Sequence, residues 1–434
     1  MATRPDAGKP PQAYAGLHEK ILARPCLTAP KPIVRSLTAP PQTKPAPAPG
    51  HLTLAVHTAL APVEAVWTAF QAHAHATFYQ TFLWCRAWSE TVGKARGVEI
   101  RIVTATGPLG EIVFILPLQI RRRCGIRVLE WLGTPHTTYG HGLFAPAFQG
   151  PSRNWFIQNW AEIVRLAGPV DAVHLAGMPA ALDGVPHPLQ HLFNMQGPNR
   201  SYRMGLPAEY DLLLAGKRSA ETRSRYRQRE RALAALGDLR FGLPSGREET
   251  HATLALMFEQ QEQRLGERGV HGVFGPVERD FLHRLADLQD ETNPVLLPYT
   301  LKLKGEVLAV MLGGFHANTY WALISSLSAA NLHKYSPGDL ALRRTIEASC
   351  ARGLASYDFA AGDTDYKLHW ADEVIALQTL LAASNLRGLV WACVMGAATL
   401  AKRLLKQSPT VRNAAMLLRK ALLGRQFRRS PRQG

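Results

Sequence analysis

Cysteine is scarce in this chain, and its few copies form no pattern. Five cysteines are scattered over 434 residues, and no two have the C-x-x-C spacing of a zinc or redox motif. An odd, dispersed set predicts neither a zinc site nor a disulfide framework. We therefore expect reduced thiols, a cytoplasmic protein and no bound metal.

Three common catalytic signatures are also missing. The sequence contains no G-x-S-x-G nucleophile elbow, no H-E-x-x-H zinc motif and no G-x-x-x-x-G-K-[ST] phosphate loop. Their absence argues against the hydrolases, metalloproteases and P-loop enzymes that carry them. It is compatible with a group transfer that uses neither a covalent nucleophile nor a metal.

Long hydrophobic runs are absent as well. The N-terminus is interrupted by prolines and has no apolar run, so no signal peptide is predicted. Residues 389–400 are apolar, but twelve residues are too few for a helix that crosses a bilayer. The sequence therefore predicts that this segment does not span a membrane.

Acidic residues are missing from the end of the chain. The net charge is +17, and residues 385–434 contain eleven Lys or Arg and no acid, while residues 1–50 contain seven against two acids. The body between them is nearly neutral. Basic tails on a neutral body fit attraction to an anionic membrane surface, here the inner face, at least as well as a nucleic-acid-binding surface. A solvated basic tail is the alternative.

Composition divides the chain into four segments. Residues 1–50 contain eleven prolines and few large apolar side chains, so we predict that they are disordered. Residues 51–205 and 206–384 are predicted to form two folded domains. Residues 385–434 are predicted to form a basic tail of two amphipathic helices, which either pack on the body or lie on a membrane (386–406 and 411–424).

The body repeats one order of elements. The first copy is a hairpin (98–104 and 112–120), a strand (128–132), a helix (153–167) and a strand (171–175). The second copy is a hairpin (296–302 and 307–315), a strand (319–325), a helix (340–352) and a strand (356–360). Apolar alternation indicates the strands, and helical spacing of apolar residues indicates the helices. Two related α/β halves are therefore expected.

A basic helix is predicted between the halves, at residues 217–236. It contains seven Lys or Arg and two Glu, and Arg223, Arg227 and Arg231 share one helical face. This face is either a solvated surface or a clamp that binds an anionic acceptor or a cofactor phosphate through guanidinium groups.

The stretch from Tyr335 to Trp370 is the most informative part of the sequence. Ser336-Pro337-Gly338-Asp339 predicts the start of a helix, with Ser336 as its cap and Pro337 at the first helical position. A strand and a charged loop follow. Because a helix N-terminus attracts anions, this unit is suited to a phosphorylated cofactor.

The string D-F-x-x-G-D-x-x-Y-K-x-x-W, from Asp358 to Trp370, carries a family resemblance. With the S-P-G helix start before it, the string resembles the C-terminal half of the CelD/FemAB-like branch of the GNAT acyltransferases. The resemblance extends over residues 51 to about 385, more loosely before residue 200. It implies an α/β (α+β) fold of tandem GNAT-like domains.

The resemblance also implies a function. We expect an enzyme that transfers an N-acyl group, such as acetyl, from acyl-CoA to an amine on a sugar, a polysaccharide precursor or a similar polar acceptor. One alternative is a FemAB-like transferase that uses aminoacyl-tRNA, which would be its only nucleic-acid partner. Another is a non-catalytic accessory protein of polysaccharide (cellulose) biosynthesis.

The resemblance implies a cofactor site on the loop before the helix predicted at 340–352. In the GNAT fold the thioester of acyl-CoA lies between two splayed strands, and the pyrophosphate of the same cofactor meets the N-terminus of the following helix. The residues expected to bind the cofactor here are His333, Lys334, Ser336 and Gly338. The loop departs from the glycine-rich pattern of typical GNATs, because it has a single glycine and a proline.

Three residues are candidates for the general base, namely Asp363, Asp365 and His316. For His316 the alternative is a strand-end histidine without a catalytic role. We assign Asp358 to structure, as an anchor for the loop that follows.

Four residues are expected to bind the substrate: Tyr366, Lys367, Arg223 and Arg227. Lys367 is predicted on an exposed loop. There it either binds a phosphate or carboxylate of the substrate or forms a salt bridge with a neighbouring aspartate.

Overall fold

The computed structural model describes residues 52–148, 152–267, 274–290, 294–328 and 332–407. Two predictions lie outside these residues, the disordered segment 1–50 and the second tail helix at 411–424. The described part contains ten α-helices and fifteen strands.

The first half of the body contains nine strands and three helices. Its strands are β1 (Thr53–His57), β2 (Glu99–Thr106), β3 (Ile112–Arg123), β4 (Ile126–Trp131), β5 (Leu143–Phe144), β6 (Ala172–Pro179), β7 (Ala181–Leu182), β8 (Val185–Pro186) and β9 (Met195–Gly205). Its helices are α1 (Glu64–Gln71), α2 (Phe82–Trp88) and α3 (Ser152–Ala167).

The second half continues with six strands and seven helices. Its strands are β10 (Leu239–Gly242), β11 (Leu296–Leu303), β12 (Glu306–His316), β13 (Thr319–Leu327), β14 (Ser356–Ala361) and β15 (Glu373–Ala383). Its helices are α4 (Tyr210–Lys217), α5 (Ala220–Ala234), α6 (Gly246–Glu267), α7 (Pro276–Leu288), α8 (Pro337–Ala351), α9 (Asp365–Trp370) and α10 (Leu386–Gln407).

The predicted repeat is confirmed. In the first half, the β2–β3 hairpin leads through β4 and α3 to β6, which lies parallel to β4. In the second half, the β11–β12 hairpin leads through β13 and α8 to β14, which lies parallel to β13. Each half therefore has a parallel strand pair joined by a crossover helix.

The two halves share one sheet. Its strands follow the order β1-β2-β3-β4-β6-β15-β9-β14-β13-β12-β11-β10, with β5 paired to β3. The last strand, β15, lies between β6 and β9 and pairs antiparallel with both. The sheet is thus continuous across the boundary predicted at residue 205, and that boundary stays a prediction.

Alternation along the strands directs side chains to two layers of helices in the second half. Val310 and Leu312 of β12 belong to the core that includes α6 and α7, whereas Ala309 and Met311 face the core beneath α8. Because successive strand residues point to opposite faces, β12 is covered on both sides. The parallel β13–β14 pair lies between β12 and β9 in the sheet.

The last described helix, α10, packs along β15 and β9 by one face. Gly388 lies so close to β6 that an added Cβ would stand 1.7 Å from the Asp171 carbonyl oxygen. The ring of Trp391 contacts that of His174 at 5.8 Å.

By length and composition, residues 386–406 are sufficient to cross a membrane, with a mean hydropathy of 1.4. The prediction that this apolar segment is too short is therefore wrong, although core helices of soluble proteins meet the same criterion.

Candidate active site

A cleft opens where β13 and β14 separate. The two strands pair only at their first three positions, the last of which is Trp321 opposite Asp358. β13 then continues to Leu327, whereas β14 ends at Ala361 and pairs on its other side with β9. Because the carboxyl ends of parallel strands meet at one edge of a sheet, the gap opens at that edge.

β14 is irregular beside this cleft. Its register with β9 shifts between Asp358 and Ala361, and Ala360 has a φ of 56°. The Ala360 N–H donates to the Asp358 carboxylate at 2.7 Å. Irregularities of this kind are frequent next to active sites, where they redirect backbone groups. Here the irregularity takes residues 358–361 out of the regular ladder.

Asp358 is fully buried at the apex of the cleft and is bound by a residue of the first half. Tyr139 Oη donates to Asp358 Oδ2 at 2.6 Å. Burial raises the pKa of Asp358 to about 6, and the hydrogen bonds from Tyr139 and Ala360 act against that rise. The sequence predicts a structural role for Asp358 and gives no signal for Tyr139. No local pattern indicates a contact between residues 219 positions apart.

Aromatic rings from both halves surround this pair. Tyr79 stacks on Tyr139 at 6.2 Å, and the ring of Trp321 meets Tyr139 edge-on at 5.3 Å. Gln80 Nε2 donates to the Tyr139 carbonyl oxygen at 2.8 Å. Packing of this kind fixes the rotamers of the side chains at the apex.

Arg203 of β9 is a second buried charge near the apex, and it was also not predicted. Its Nη2 donates to Ser356 Oγ at 2.7 Å and to Thr319 Oγ1 at 3.1 Å, and it pairs with Asp183 at 2.5 Å. Its Nη1 has no hydrogen-bond partner among the described residues. The guanidinium therefore joins the beginnings of β13 and β14 on the side of the cleft apex.

The N-terminus of α8 lies at the same edge of the sheet as the open end of the cleft, because α8 follows the carboxyl end of β13. Ser336 is left-handed, with a φ of 53°, and its side chain makes no capping hydrogen bond. The predicted Ser336 cap is therefore wrong. The Ser336 hydroxyl instead accepts a hydrogen bond from Arg229 Nη1 of α5 at 3.2 Å.

The predicted cofactor residues lie on this one turn. His333 and Lys334 are exposed, and the ammonium of Lys334 stands 4.9 Å from the ring centre of Tyr335. Gly338 is in the first turn of α8. Asp339, a carboxylate beside a suspected anion site, is paired with Arg343 at 3.2 Å. The structure thus brings the four residues together, and their role as ligands stays a prediction.

Asp363 follows β14 at the same edge of the sheet. It accepts hydrogen bonds from Tyr202 Oη at 2.5 Å and from Arg200 Nε at 3.2 Å. Asp365 and Tyr366 are exposed on the first turn of α9. These residues are therefore available to a substrate at the open end of the cleft.

Lys367 is not on an exposed loop, and that prediction is wrong. It lies in α9 and is only 7% exposed. Its Nζ donates to the carbonyl oxygens of Ala360 and Ala361 at 3.2 and 3.1 Å. Burial lowers the pKa of Lys367 to about 8, while the charges of Asp358 and Asp363 act against that fall. Lys367 thus holds the irregular end of β14.

This difference in burial gives a testable contrast between neighbours. Lys367→Ala should lower the free energy of unfolding by about 1–3 kcal/mol, because two carbonyls lose their donor; relief of a buried ammonium offsets part of the loss. Asp365→Ala, on the exposed turn, should stay within about 0.5 kcal/mol of the wild type. Urea denaturation measures both, and equal stability of the two variants would contradict the buried position of Lys367.

His316 lies away from the two aspartates. It ends β12 at the turn that leads into Thr319, and Thr319 pairs with Ser356 at the beginning of β14. Asp363 follows the other end of β14, so the separation is about 20 Å at the rise of an extended strand. Burial lowers the pKa of His316 to about 4, so the ring is neutral.

Within the described ranges, no three His, Cys, Asp or Glu side chains form a metal-binding group.

The basic helix is confirmed as α5, and it lies beside α8. Arg227 lines a groove of about 760 Å³ between α5, β10 and α8, together with Arg231 and Arg344. Arg344 is paired with Glu230, whereas Arg227 and Arg231 form no ion pair with any residue in the described part of the chain. Arg223 is half-buried. Arg227 therefore faces this groove, along the side of α8.

Comparison with known proteins places the cleft in a recognised domain. Residues 220–368 match the family model described as acetyltransferase (GNAT) domain. That segment begins with α5 and ends in α9, so it contains the cleft, the N-terminus of α8 and the predicted site. No curated protein matches the chain by sequence.

Several solved structures are similar in fold. FemX superposes with a TM-score of 0.55 at 13% identity, over 78% of this chain and 99% of that one. The C-terminal domain of a putative lysylphosphatidylglycerol synthetase from Agrobacterium fabrum gives a TM-score of 0.46 at 10% identity, over 79% and 97%. A tandem GNAT protein from the clavulanic acid biosynthesis pathway gives a TM-score of 0.40 at 9% identity, over 77% of this chain and 100% of that one.

These findings confirm the predicted fold class and the predicted enzyme class. The chain has a mixed α/β fold, and its residues 220–368 match the acetyltransferase (GNAT) domain model, which supports an acyltransferase enzyme. The finer assignment to the CelD/FemAB-like branch stays a prediction, because the likeness to FemX at 13% identity concerns the fold alone.

Proposed function

We propose that the protein transfers an acyl group from an acyl-CoA thioester to an amine on a polar acceptor, with a sugar or polysaccharide precursor as the expected class. The observation that carries the proposal is the shared edge of the β13–β14 gap and the N-terminus of α8. Acyl-CoA has two parts that match these two features. Its extended acyl thioester arm suits the gap between the strands, and its anionic pyrophosphate suits the helix N-terminus.

The anionic part would bind at α8. The first backbone N–H groups of a helix have no intrahelical partner, and the helix dipole favours a negative charge there. Pro337 has no N–H, and the Ser336 side chain does not cap α8, so the N–H groups of Gly338 and Asp339 are the ones proposed to meet a phosphate. His333 and Lys334 would add donors from the preceding turn, and Gly338 would allow the phosphate to approach the backbone.

The acyl part would extend into the gap between the strands. There the acceptor amine attacks the thioester carbonyl carbon, a C–N bond forms and the C–S bond breaks. The proton that the amine gives up balances the one that the leaving thiolate takes up to become a thiol. The amine must lose a proton, and Asp363 and Asp365 are the predicted bases that lie at this end of the cleft. Tyr366 is exposed next to them and is proposed to contact the acceptor.

A second candidate is the transfer of an aminoacyl group from tRNA. The groove beside α5 favours it, because Arg227 and Arg231 line it without an ion pair to any described residue, and guanidinium binds phosphate in a bidentate manner. The third reading, an accessory protein of polysaccharide assembly, would require that neither donor binds.

Ligand-induced stabilisation separates the three readings. Acetyl-CoA at about 100 times its dissociation constant should raise the free energy of unfolding by about 2.7 kcal/mol. Acetyl-pantetheine, which has the thioester but no pyrophosphate, should stabilise the protein much less at the same concentration. Stabilisation by aminoacyl-tRNA alone would favour the second candidate, and no stabilisation by any donor would favour the accessory role. Release of free thiol upon addition of amino sugars then tests transfer itself.

A further inference from the structure

Helix α10 has two faces, and one of them is held against the sheet. On the inner face, Gly388 meets the backbone of Asp171, and Trp391 contacts His174. Near the end of the helix, Lys406 donates to Asn199 of β9. The helix is therefore anchored to the body along its length.

The outer face of α10 is apolar and exposed. Between Arg387 and Lys402 the helix has no charged residue. Seven large apolar side chains on this face are between 41% and 81% exposed, at the spacing of one helical stripe: Leu386, Leu389, Val390, Val394, Leu400, Leu404 and Leu405. Contiguous exposed apolar patches of this kind mark interaction surfaces.

The charges of α10 itself have a single sign. Arg387 lies at one end of the stripe and Lys402 and Lys406 at the other, and all three are exposed. The following 27 residues contain seven more Lys or Arg, and no acid occurs anywhere after residue 384. An apolar stripe on a helix whose own charges are all cationic is complementary to a surface that is apolar inside and anionic at its rim.

We propose that the outer face of α10 lies in the boundary between headgroups and acyl chains of an anionic membrane, while the inner face stays on the sheet. A second copy of this chain would place like charges against each other. A spanning helix would lose the close contacts of Gly388 and Trp391. The membrane surface satisfies both the apolar stripe and its basic border.

This orientation concerns the active site as well. Asn199, the partner of Lys406, precedes Arg200, which pairs with Asp363. The residue that holds the end of α10 and the residue that pairs with Asp363 are therefore neighbours in the middle of β9. A protein bound through α10 would hold this part of β9 at the membrane.

Vesicle binding of the full-length protein tests the proposal. Phosphatidylglycerol vesicles should bind the protein, and phosphatidylcholine vesicles should bind it much less. Leu400→Glu should weaken the partitioning about tenfold, because a charge replaces an inserted leucine. The matched control is Leu109→Glu, the same change at an exposed leucine in the β2–β3 turn, which should leave the partitioning unchanged. Arg387→Gln combined with Lys402→Gln should weaken it about tenfold.

A fluorescent label reports which surface touches the lipid. Cys393 is exposed on α10 and Cys124 is exposed in the β3–β4 turn, so one environment-sensitive dye can be attached at either position after the other cysteine and Cys26 are changed to serine. Phosphatidylglycerol vesicles should shift the emission of the dye at Cys393 to shorter wavelengths and leave the dye at Cys124 unchanged. Equal responses at both positions would overturn the proposal. So would equal binding of Leu400→Glu and Leu109→Glu, self-association that Leu400→Glu abolishes, or release from vesicles only by detergent.

Discussion

Replacing Gly338 with glutamate should weaken acetyl-CoA binding about a hundredfold without unfolding the protein. The added carboxylate would stand in the first turn of α8, where the pyrophosphate is proposed to bind. Two like charges about 5 Å apart repel by about 3 kcal/mol at an effective dielectric constant of about 20. An acidic side chain in the first turn of a helix is favourable for the helix itself, so stability should be retained.

Gly338→Ala is the matched control. An added Cβ at this position meets only Leu327, at an ordinary contact distance of 3.6 Å, so alanine fits. Its affinity for acetyl-CoA should fall far less than that of the glutamate variant, because a methyl group adds bulk at the proposed phosphate site but no charge. Isothermal titration of the three proteins measures the effect. Equal affinity of the glutamate and alanine variants would show that the donor phosphates do not bind at this turn.

Replacing Asp358 with asparagine should remove a pH dependence of about 3 kcal/mol from the stability of the protein. Burial raises the pKa of Asp358 from 3.8 to about 6, so the folded state keeps the proton at pH values where the unfolded state has lost it. Stability from this group is therefore greatest below pH 3.8 and falls as the pH rises to about 6. A shift of about two pKa units corresponds to about 3 kcal/mol.

Urea denaturation from pH 4 to pH 7 measures this effect as a difference between variant and wild type. The wild type should lose stability relative to Asp358→Asn over that interval and then run parallel to it. Tyr139→Phe is the second variant, because it removes the donor to the buried carboxylate and should move the window to higher pH. A constant difference across the pH range would mean that Asp358 is not buried as a titrating acid.

The repeated order of elements could be predicted from the sequence because each element has a strong local signal. The hairpins have glycine turns between alternating apolar residues, and α8 begins at Pro337 and ends before Gly353, as predicted. The insertion of β15 between β6 and β9 has no such signal. It depends on pairing between strands that are far apart in the sequence.

The candidate site also has parts that could be predicted from the sequence and parts that could not. The turn before α8 and the segment after β14 could be found, because each is continuous in the sequence. The Tyr139–Asp358 pair and Arg203 could not, since tertiary contacts alone bring them together. Lys367 was misplaced because the charged residues around it suggested a loop, whereas its ammonium turns inward to the carbonyls at the end of β14.

Hydrogen–deuterium exchange with and without acetyl-CoA tests the location of the donor site most directly, since it reports on each backbone segment separately. Bound acetyl-CoA should slow exchange in β13 beyond Trp321 and in the first turn of α8, and leave the α5–β10 groove unchanged. Slower exchange in that groove, with no change in β13 and α8, would contradict a donor site between the separated strands.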